Sequence, residues 1–226
     1  HGSHDFAEIN ITPDASGSSV PAVKIEAGGV PACITDAVVV ARYNDTAAVE
    51  SILGQHSDRI AAIIVEPVMN AAGIISADNE FLRSLRELAD RFGALLIFDE
   101  IVTFRLDEGG WQGLHGITPD LTTLGKMIGG GFAVGAFGGR REIMEAFDPA
   151  RVGGVHHSGT FNGHNLTMAA GAASVELLTG DEIDRIGVLG ERLHRGISAV
   201  AERHGVREST TRSGSLLYLH WSEHPI

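Results

Sequence analysis

Apolar residues along the chain fall into short continuous runs and longer stretches with helical spacing. Residues 60–65 and 94–98 are continuous apolar runs, a pattern typical of parallel strands that are covered on both faces. Between them, residues 78–92 carry apolar side chains at helical spacing, and Gly93 ends the predicted helix. This order of strand, helix and strand predicts a parallel, right-handed βαβ unit.

The rest of the chain alternates between shorter elements and glycine-rich loops. Residues 6–31 and 153–163 are rich in glycine and polar residues and are predicted to be loops. Further strands are predicted at 37–41, 134–137 and 216–221. Further helices are predicted at 46–55, 140–147, 165–178 and 181–204. Together with the βαβ unit, this pattern indicates an α/β fold.

Individual residues refine several of these segments. Asn44 or Asp45 is expected to cap the helix at 46–55. The small residues of the helix at 165–178 predict close packing against another backbone, and the start at Thr118-Pro119-Asp120 favours a short helical turn before Lys126. The long helix at 181–204 places one apolar stripe along its length, formed by Ile183, Ile186, Leu189, Leu193 and Ile197.

Composition narrows the class of protein. The 226 residues include 43% hydrophobic and 20% charged residues, which is ordinary for a soluble globular protein. The formal net charge of −12 argues against nucleic acid or an anionic membrane surface as a partner. Cys33 is the single cysteine, so no internal disulfide is possible, and a reduced, cytoplasmic compartment is expected. No apolar run has membrane-spanning length.

Two residues stand out as candidates for chemistry. The apolar run at 94–98 ends in Asp99, and a buried strand that delivers an acid at its carboxyl end is a common way to build a site in an open α/β sheet. Lys126 lies shortly before the triplet Gly129-Gly130-Gly131. A lysine in a tight, apolar, glycine-walled turn can have its pKa lowered, which suits it to Schiff-base chemistry. We therefore expect Asp99 and Lys126 to hold one cofactor between them.

Other interpretations of the same residues remain open on spacing alone. An acid at a strand end is often only a helix cap or an ion-pair partner. A P-loop is not supported, because its Gly-x-x-x-x-Gly-Lys-Ser/Thr pattern is absent and the glycine triplet follows the lysine. The adjacent histidines His156 and His157 point in different directions in most backbones, so we expect no metal site there.

Three ordered motifs resemble those of a known family. They are Asp-Glu-Ile-Val-Thr at 99–103, Leu-Gly-Lys-Met-Ile-Gly-Gly-Gly at 124–131 and Gly-Thr-Phe-Asn-Gly at 159–163. The chain resembles the class III aminotransferases, pyridoxal-phosphate enzymes of fold type I, and within them is most similar to the glutamate-1-semialdehyde aminomutase branch. The Glu66-Pro67 pair upstream agrees with this resemblance, which extends over almost the whole chain.

The resemblance implies roles for the central residues. Lys126 would bind the cofactor pyridoxal 5′-phosphate as a Schiff base and then move protons at the substrate's α-carbon. Asp99 would pair with the nitrogen of the pyridine ring. Ile101 would pack on one face of the ring, and Val102 would lie near its edge.

The resemblance also implies roles for residues around this centre. Thr160 would contact the phosphate of the cofactor in the partner subunit, which implies a homodimer with shared sites. Glu66 would lie close to the cofactor or the substrate. The family commonly has an asparagine at the position of Ala71, whereas this chain has Asn70 one residue earlier, and we expect Asn70 to lie beside the cofactor.

The implied architecture is a three-layer, mostly parallel sheet with helices on both faces. Residues 1–180 would form the large cofactor-binding domain without its N-terminal part, and residues 181–226 would begin a small α+β C-terminal domain. The chain is therefore expected to be an internal fragment of a longer enzyme. The expected reaction exchanges an amino group between an amine or amino acid and a carbonyl compound. A racemase or epimerase, or a catalytically incomplete fragment, is the alternative.

Overall fold

A computed structural model of the chain describes residues 4–11, 21–25 and 27–220. The described residues form two compact units. The first combines the chain up to Ala61 with Asp78–Ala94, and the second combines Ala62–Ala77 with the chain from Leu95 onward. The division into domains at residue 180 stays a prediction.

The secondary structure alternates between strands and helices, as the hydrophobic pattern indicates. The strands are β1 (Ile9–Ile11), β2 (Val23–Ile25), β3 (Ala62–Val65), β4 (Val68–Met69), β5 (Ile75–Ser76), β6 (Leu95–Asp99), β7 (Leu121–Gly125), β8 (Gly135–Gly139), β9 (Ser209–Ser213) and β10 (Leu216–His220). The α-helices are α1 (Thr46–Gln55), α2 (Asn79–Phe92), α3 (Gly110–His115), α4 (Arg141–Met144), α5 (Asn165–Glu176) and α6 (Gly180–Arg203). Short 3₁₀ helices lie at Asp5–Ala7, Ala32–Asp36, Thr103–Leu106, Lys126–Gly129 and Glu145–Phe147.

Helices α1 and α2 pack against each other in the first unit, and both confirm predicted helices. The cap of α1 is Asp45, whose carboxylate accepts a hydrogen bond from Ala48 N at 2.9 Å. Asn44 instead accepts a hydrogen bond from Asp78 N through its side chain, just before α2. Gly93 ends α2 in the left-handed conformation, with φ of 70°. The helices bury Ala48, Val49, Ile52, Leu53, Phe81, Leu82, Leu85, Leu88 and Ala89.

A four-stranded sheet with the order β3–β6–β7–β8 lies in the second unit. Strand β6 pairs in parallel with both β3 and β7, whereas β8 is antiparallel to β7. The mostly parallel α/β sheet and the parallel pairing of the predicted βαβ strands are thus confirmed. The expectation that residues 60–65 are covered on both faces is wrong, because β3 is an edge strand here and Ile64 is 58% exposed.

Two N-terminal predictions are corrected. Residues 37–41 do not form a strand, since within the described ranges they join no ladder and follow a 3₁₀ helix. Their β-branched side chains favour extended backbone, but a strand also needs a neighbour to pair with. Residues 6–31 are not wholly a loop, because β1 and β2 pair in antiparallel register. Residues 12–20 and 26 of that segment lie outside the described residues.

The predicted helical turn before Lys126 is strand β7 instead. Asp120 explains the difference, because its buried carboxylate accepts a hydrogen bond from Leu96 N at 2.7 Å and its carbonyl accepts one from Arg140 N at 2.9 Å. These bonds hold the start of β7 between its two neighbours. Pairing within a sheet therefore overrides the local preference of the Thr-Pro-Asp sequence for a turn.

The remaining predicted elements are confirmed, with shifts of one or a few residues at their ends. Residues 134–137 correspond to β8, residues 140–147 to α4 and the following 3₁₀ turn, and residues 153–163 to a loop. Helix α6 begins at the Thr179 cap, and β10 pairs with β9 as an antiparallel hairpin. Trp221, the last residue of the strand predicted at 216–221, lies outside the described residues. Within the apolar stripe of α6, Leu189 and Leu193 are exposed, at 47% and 56%, whereas the three isoleucines are half-buried. Among the described residues, no helix is long and apolar enough to span a membrane.

Candidate active site

Three predicted site residues follow neighbouring strands at one edge of the sheet. Glu66 comes directly after β3, Asp99 ends β6, and Lys126 comes directly after β7. Because these strands are parallel, their carboxyl ends meet at the same edge. The Glu66 carboxylate interacts electrostatically with both Asp99 and Lys126. The structure therefore brings two acids and one amine together at the place where ligands bind in open α/β sheets.

Asp99 is the buried member of this group. Asp99 is only 4% exposed, and its Oδ1 accepts a hydrogen bond from Ile101 N at 3.1 Å. A carboxylate that is removed from water is stabilised when a cation or an N–H donor approaches it. Asp99 is thus suited to hold a protonated ring nitrogen.

Lys126 occupies an unusual backbone conformation. Its φ of 50° lies in the left-handed region, which is uncommon for residues other than glycine and often marks functional sites. The turn continues as a 3₁₀ helix to Gly129 and ends at Gly130, also left-handed with φ of 58°. The side chain of Lys126 is exposed, so its amine is accessible to a ligand.

Helix α5 packs directly on this lysine turn, as its small residues predict. A Cβ added to Gly171 would lie 2.1 Å from the carbonyl oxygen of Ile128, and one added to Gly130 would lie 2.2 Å from that of Ala170. Both distances are far below van der Waals contact, so only glycine fits on each side. The small residues of α5 therefore fix the turn that carries Lys126.

Glu66 lies half-buried beside the two central residues. Burial raises the pKa of the Glu66 carboxyl above its ordinary value, and the charge of Asp99 acts in the same direction. A hydrogen bond from Asn70 N to Glu66 Oε2, at 3.2 Å, and the charge of Lys126 both oppose that rise in pKa. Asn70 thus contacts Glu66 through its backbone N–H, and Asn70 itself is exposed.

The two apolar residues of the predicted site directly follow Asp99 and Glu100 in the chain. Ile101 and Val102 are half-exposed and follow Asp99 within two and three residues. A Cβ added to Gly125 would lie 3.4 Å from Ile101 Cγ2, so Ile101 lies against the residue that precedes Lys126. The structure therefore places the apolar side chain of Ile101 beside the backbone that leads to Lys126.

Glu100 is an important residue that sequence reasoning missed. It is fully buried at 0% exposure, and its carboxylate accepts hydrogen bonds from Thr103 Oγ1, Trp111 N and both nitrogens of Gln112. Gln112 Nε2 also donates to Thr122 Oγ1 on β7 at 3.0 Å. The only signal in the sequence is a second acid after the strand. Glu100 fixes the segment that follows Asp99 onto the strand that leads to Lys126.

Thr160 lies in the exposed loop at 153–163, next to Phe161, which is 79% exposed. Its predicted contact with the cofactor of a partner subunit stays a prediction. In the same loop His156 Nε2 lies 3.0 Å from Ser158 Oγ, and the His157 ring packs edge-on against Phe137. Within the described part of the chain, no group of three His, Cys, Asp or Glu side chains is arranged to hold a metal ion.

The β9–β10 hairpin supports two loops of this site, which the sequence did not indicate. Gly73, in the turn between β4 and β5, accepts a hydrogen bond from Thr211 Oγ1 through its carbonyl oxygen, and His220 Nε2 lies 3.1 Å from the same oxygen. At the other end of the hairpin, Arg105 Nη2 donates to Ser215 Oγ at 2.8 Å. The hairpin thus contacts the segments after Glu66 and after Asp99.

Comparison with known proteins shows which sequences and folds the chain is similar to. A curated relative, the glutamate-1-semialdehyde 2,1-aminomutase of Pyrobaculum aerophilum, is 43% identical over 99% of this chain and 52% of its own length. The crystal structure of an omega-transaminase from Sphaerobacter thermophilus superposes with a TM-score of 0.93, at 40% identity, over 100% of this chain and 52% of that chain. A transaminase with pyridoxal phosphate bound superposes with a TM-score of 0.86, at 33% identity, over 97% of this chain and 51% of its own.

The family model agrees with these similarities. It is described as aminotransferase class-III and matches residues 23–223, which is most of the chain. The chain spans about half the length of the curated relatives it matches. The resemblance seen in the three sequence motifs is thereby confirmed: the chain belongs to the class III aminotransferases, a family of pyridoxal-phosphate-dependent enzymes.

Proposed function

We propose that this chain forms the cofactor-binding part of an enzyme that exchanges an amino group between an amine or amino acid and a carbonyl compound. The observation that carries the proposal is the convergence of the buried Asp99 carboxylate and the exposed Lys126 amine at one sheet edge. A primary amine and a buried acid are the two groups that pyridoxal-phosphate chemistry needs from the protein.

The residues present fit the cofactor. Asp99 offers a buried carboxylate to the ring nitrogen, and Lys126 offers an accessible primary amine to the aldehyde. Ile101, which lies against Gly125, would offer an apolar surface to the ring. Val102 would border the same surface, and Thr160 would contact the phosphate from a partner subunit.

The chain's residues would divide the work as follows. Bound pyridoxal phosphate supplies an aldehyde that takes up the amino group and a ring that withdraws electrons from the substrate's α-carbon. Asp99 keeps the proton on the ring nitrogen, which makes the ring a stronger electron acceptor. Lys126 Nζ removes and returns a proton at the substrate's α-carbon. Glu66, held by the Asn70 N–H, adjusts the charge beside these two groups.

The class of reaction within this chemistry is tested by its products. The Pyrobaculum relative is named as an aminomutase and the Sphaerobacter structure as an omega-transaminase, so the chain is similar to both classes. Transfer to an added keto acid, with stoichiometric release of a carbonyl product, would favour a transaminase. Rearrangement of an amino aldehyde without an added acceptor would favour an aminomutase. Inversion at the α-carbon without amino transfer would favour the racemase alternative.

The assignment of Lys126 has a direct chemical test. The chain contains two lysines, Lys24 and Lys126. We expect the protein with pyridoxal phosphate to show a visible absorbance band, and borohydride reduction to fix the cofactor to the peptide that contains Lys126. Lys126→Arg should abolish both the band and the label, and should lower amino transfer by at least about a thousandfold.

The matched control is Lys24→Arg, which removes the other amine and should leave both signals unchanged. Mass spectrometry of the reduced protein identifies the labelled peptide. A label on Lys24, or a persistent visible band in Lys126→Arg, would refute the assignment. The homodimer is tested separately by sedimentation of the same samples.

A further inference from the structure

Thr123 lies beside Asp99 in the sheet. The register pairs Asp99 on β6 with Thr123 on β7, and residues paired in this way project to the same face. Neighbouring strands lie about 4.8 Å apart, which is within the combined reach of a threonine hydroxyl and an aspartate carboxylate. The backbone of Thr123 is fixed at this level, because its carbonyl oxygen accepts a hydrogen bond from Glu100 N at 3.0 Å.

The hydroxyl of Thr123 is buried without a hydrogen-bond partner among the described residues. A buried hydroxyl normally has a partner, since leaving it unsatisfied costs the full desolvation of that group. Such a group therefore calls for an explanation, and an interaction made when a ligand binds is one that its place in the sheet allows. Valine would fill the same volume without the cost, so the hydroxyl itself needs an explanation.

The two strands next to β7 differ in whether they offer the Thr123 hydroxyl a hydrogen-bond acceptor. On the side of β8 its register partner is Phe137, whose ring offers no carboxylate or carbonyl acceptor. On the side of β6 its register partner is Asp99, a carboxylate that can only accept hydrogen bonds when ionised. A threonine hydroxyl can rotate and donate, so Asp99 is the complementary group in this row.

We propose that Thr123 is a positioning residue for Asp99, whose hydroxyl donates to the Asp99 carboxylate when the cofactor's ring nitrogen engages it. This inference rests on the proposed function. The donated hydrogen bond would hold the carboxylate in one orientation and so strengthen its contact with the protonated ring nitrogen. The hydroxyl would then contribute to cofactor binding and not to the stability of the fold itself.

The proposal predicts opposite effects on stability and binding. Thr123→Val should raise the melting temperature of the cofactor-free protein by a few degrees, because it removes an unsatisfied buried hydroxyl. The same variant should bind pyridoxal phosphate about tenfold more weakly, the loss expected for a hydrogen bond to a charged group. Thr123→Ser, which retains the hydroxyl, should restore the wild-type dissociation constant and the wild-type visible band.

Thermal melts without cofactor and absorbance titrations with pyridoxal phosphate measure both effects. Thr118→Val, an exposed residue before β7, is the control for valine substitution and should change neither quantity. Equal affinity of Thr123→Val and wild type would overturn the proposal, and so would Thr123→Ser binding as weakly as Thr123→Val. A wild-type protein without any visible band would instead refute the proposed function itself.

Discussion

At the scale of single residues, the site edge concentrates opposing charges in a small space. Glu66 and Asp99 are both acids, and Lys126 brings a positive charge to Glu66. Burial raises the pKa of Glu66, and the charge of Asp99 adds to that effect, so the folded state favours the neutral form of this carboxyl. The Glu66 carboxyl therefore binds its proton more tightly in the folded state than in the unfolded chain.

This linkage gives a pH-dependent prediction for Glu66→Gln. Because the folded pKa lies above the ordinary value of 4.5, the stabilising contribution is present below pH 4.5 and is lost as the pH rises through the folded pKa. Replacing the acid with neutral glutamine should remove that loss. We expect Glu66→Gln to be more stable than wild type at pH 7.5, with the difference disappearing towards pH 4. Urea unfolding at both pH values measures it.

Glu80→Gln provides the control for this experiment, since Glu80 is an exposed acid in the first turn of α2. It should not reproduce the pH-dependent gain. If Glu66→Gln and wild type differ by the same unfolding free energy at both pH values, the prediction that ionisation of Glu66 lowers stability is wrong.

At the scale of elements, the position of Lys126 depends on how closely α5 approaches its turn. Gly171 in the helix and Gly130 in the turn each lie against a carbonyl oxygen of the other segment. Backbone contacts of this kind leave no room for adjustment by a side-chain rotamer. The left-handed φ of Lys126 itself also has to be maintained by its surroundings, and α5 is the element that packs there.

Gly171→Ala tests this packing. The new methyl group would lie 2.1 Å from Ile128 O, so α5 must move away from the turn. We expect a loss of about 1–3 kcal/mol in the free energy of unfolding, as for overpacking elsewhere, together with weaker cofactor binding. Gly187→Ala in α6 is the matched control, because a Cβ at that helical glycine meets no atom within 4 Å. It should gain about 0.5–1 kcal/mol instead. Equal unfolding free energies for the two variants would contradict the packing argument.

At the scale of the molecule, residues far apart in sequence meet at the β9–β10 hairpin. Its strands hold the turn at Gly73 through Thr211 and His220, and its own turn contacts Arg105 through Ser215. The site loops after β3 and β6 are therefore supported by the C-terminal end of the described chain. Substitutions in this hairpin should therefore alter the site loops without replacing a proposed cofactor-binding residue.

Gly73→Ala examines this support. Gly73 is buried with φ of 105°, and an added Cβ would lie 2.2 Å from His220 Cε1. We expect a loss of about 1–3 kcal/mol in the free energy of unfolding from backbone strain and the clash with the ring. In a His220→Ala background the loss should be smaller, because the clash is removed, and this coupling identifies the contact. Gly28→Ala, with no atom within 4 Å of its added Cβ, is the control. Full additivity of the effects of Gly73→Ala and His220→Ala on the free energy of unfolding would contradict this contact between Gly73 and His220.

The elements predicted correctly are those whose signal is local. Helix α2 follows from apolar spacing and a glycine stop, and β6 follows from a continuous apolar run that ends in Asp99. The errors occur where pairing decides the backbone. Residues 37–41 have strand-like side chains without a neighbouring strand, whereas β7 has a turn-like start and two neighbouring strands. Periodicity along the chain carries no information about which strands become neighbours.

The same division holds for the candidate site. The sequence by itself singled out the two residues proposed to carry the chemistry, because Asp99 and Lys126 lie in motifs that resemble those of the family. The fully buried Glu100, the supporting hairpin at His220 and the unsatisfied hydroxyl of Thr123 emerged only from the tertiary structure. Burial and hydrogen-bond partners are properties of the folded chain, since they depend on contacts between residues that are distant in sequence.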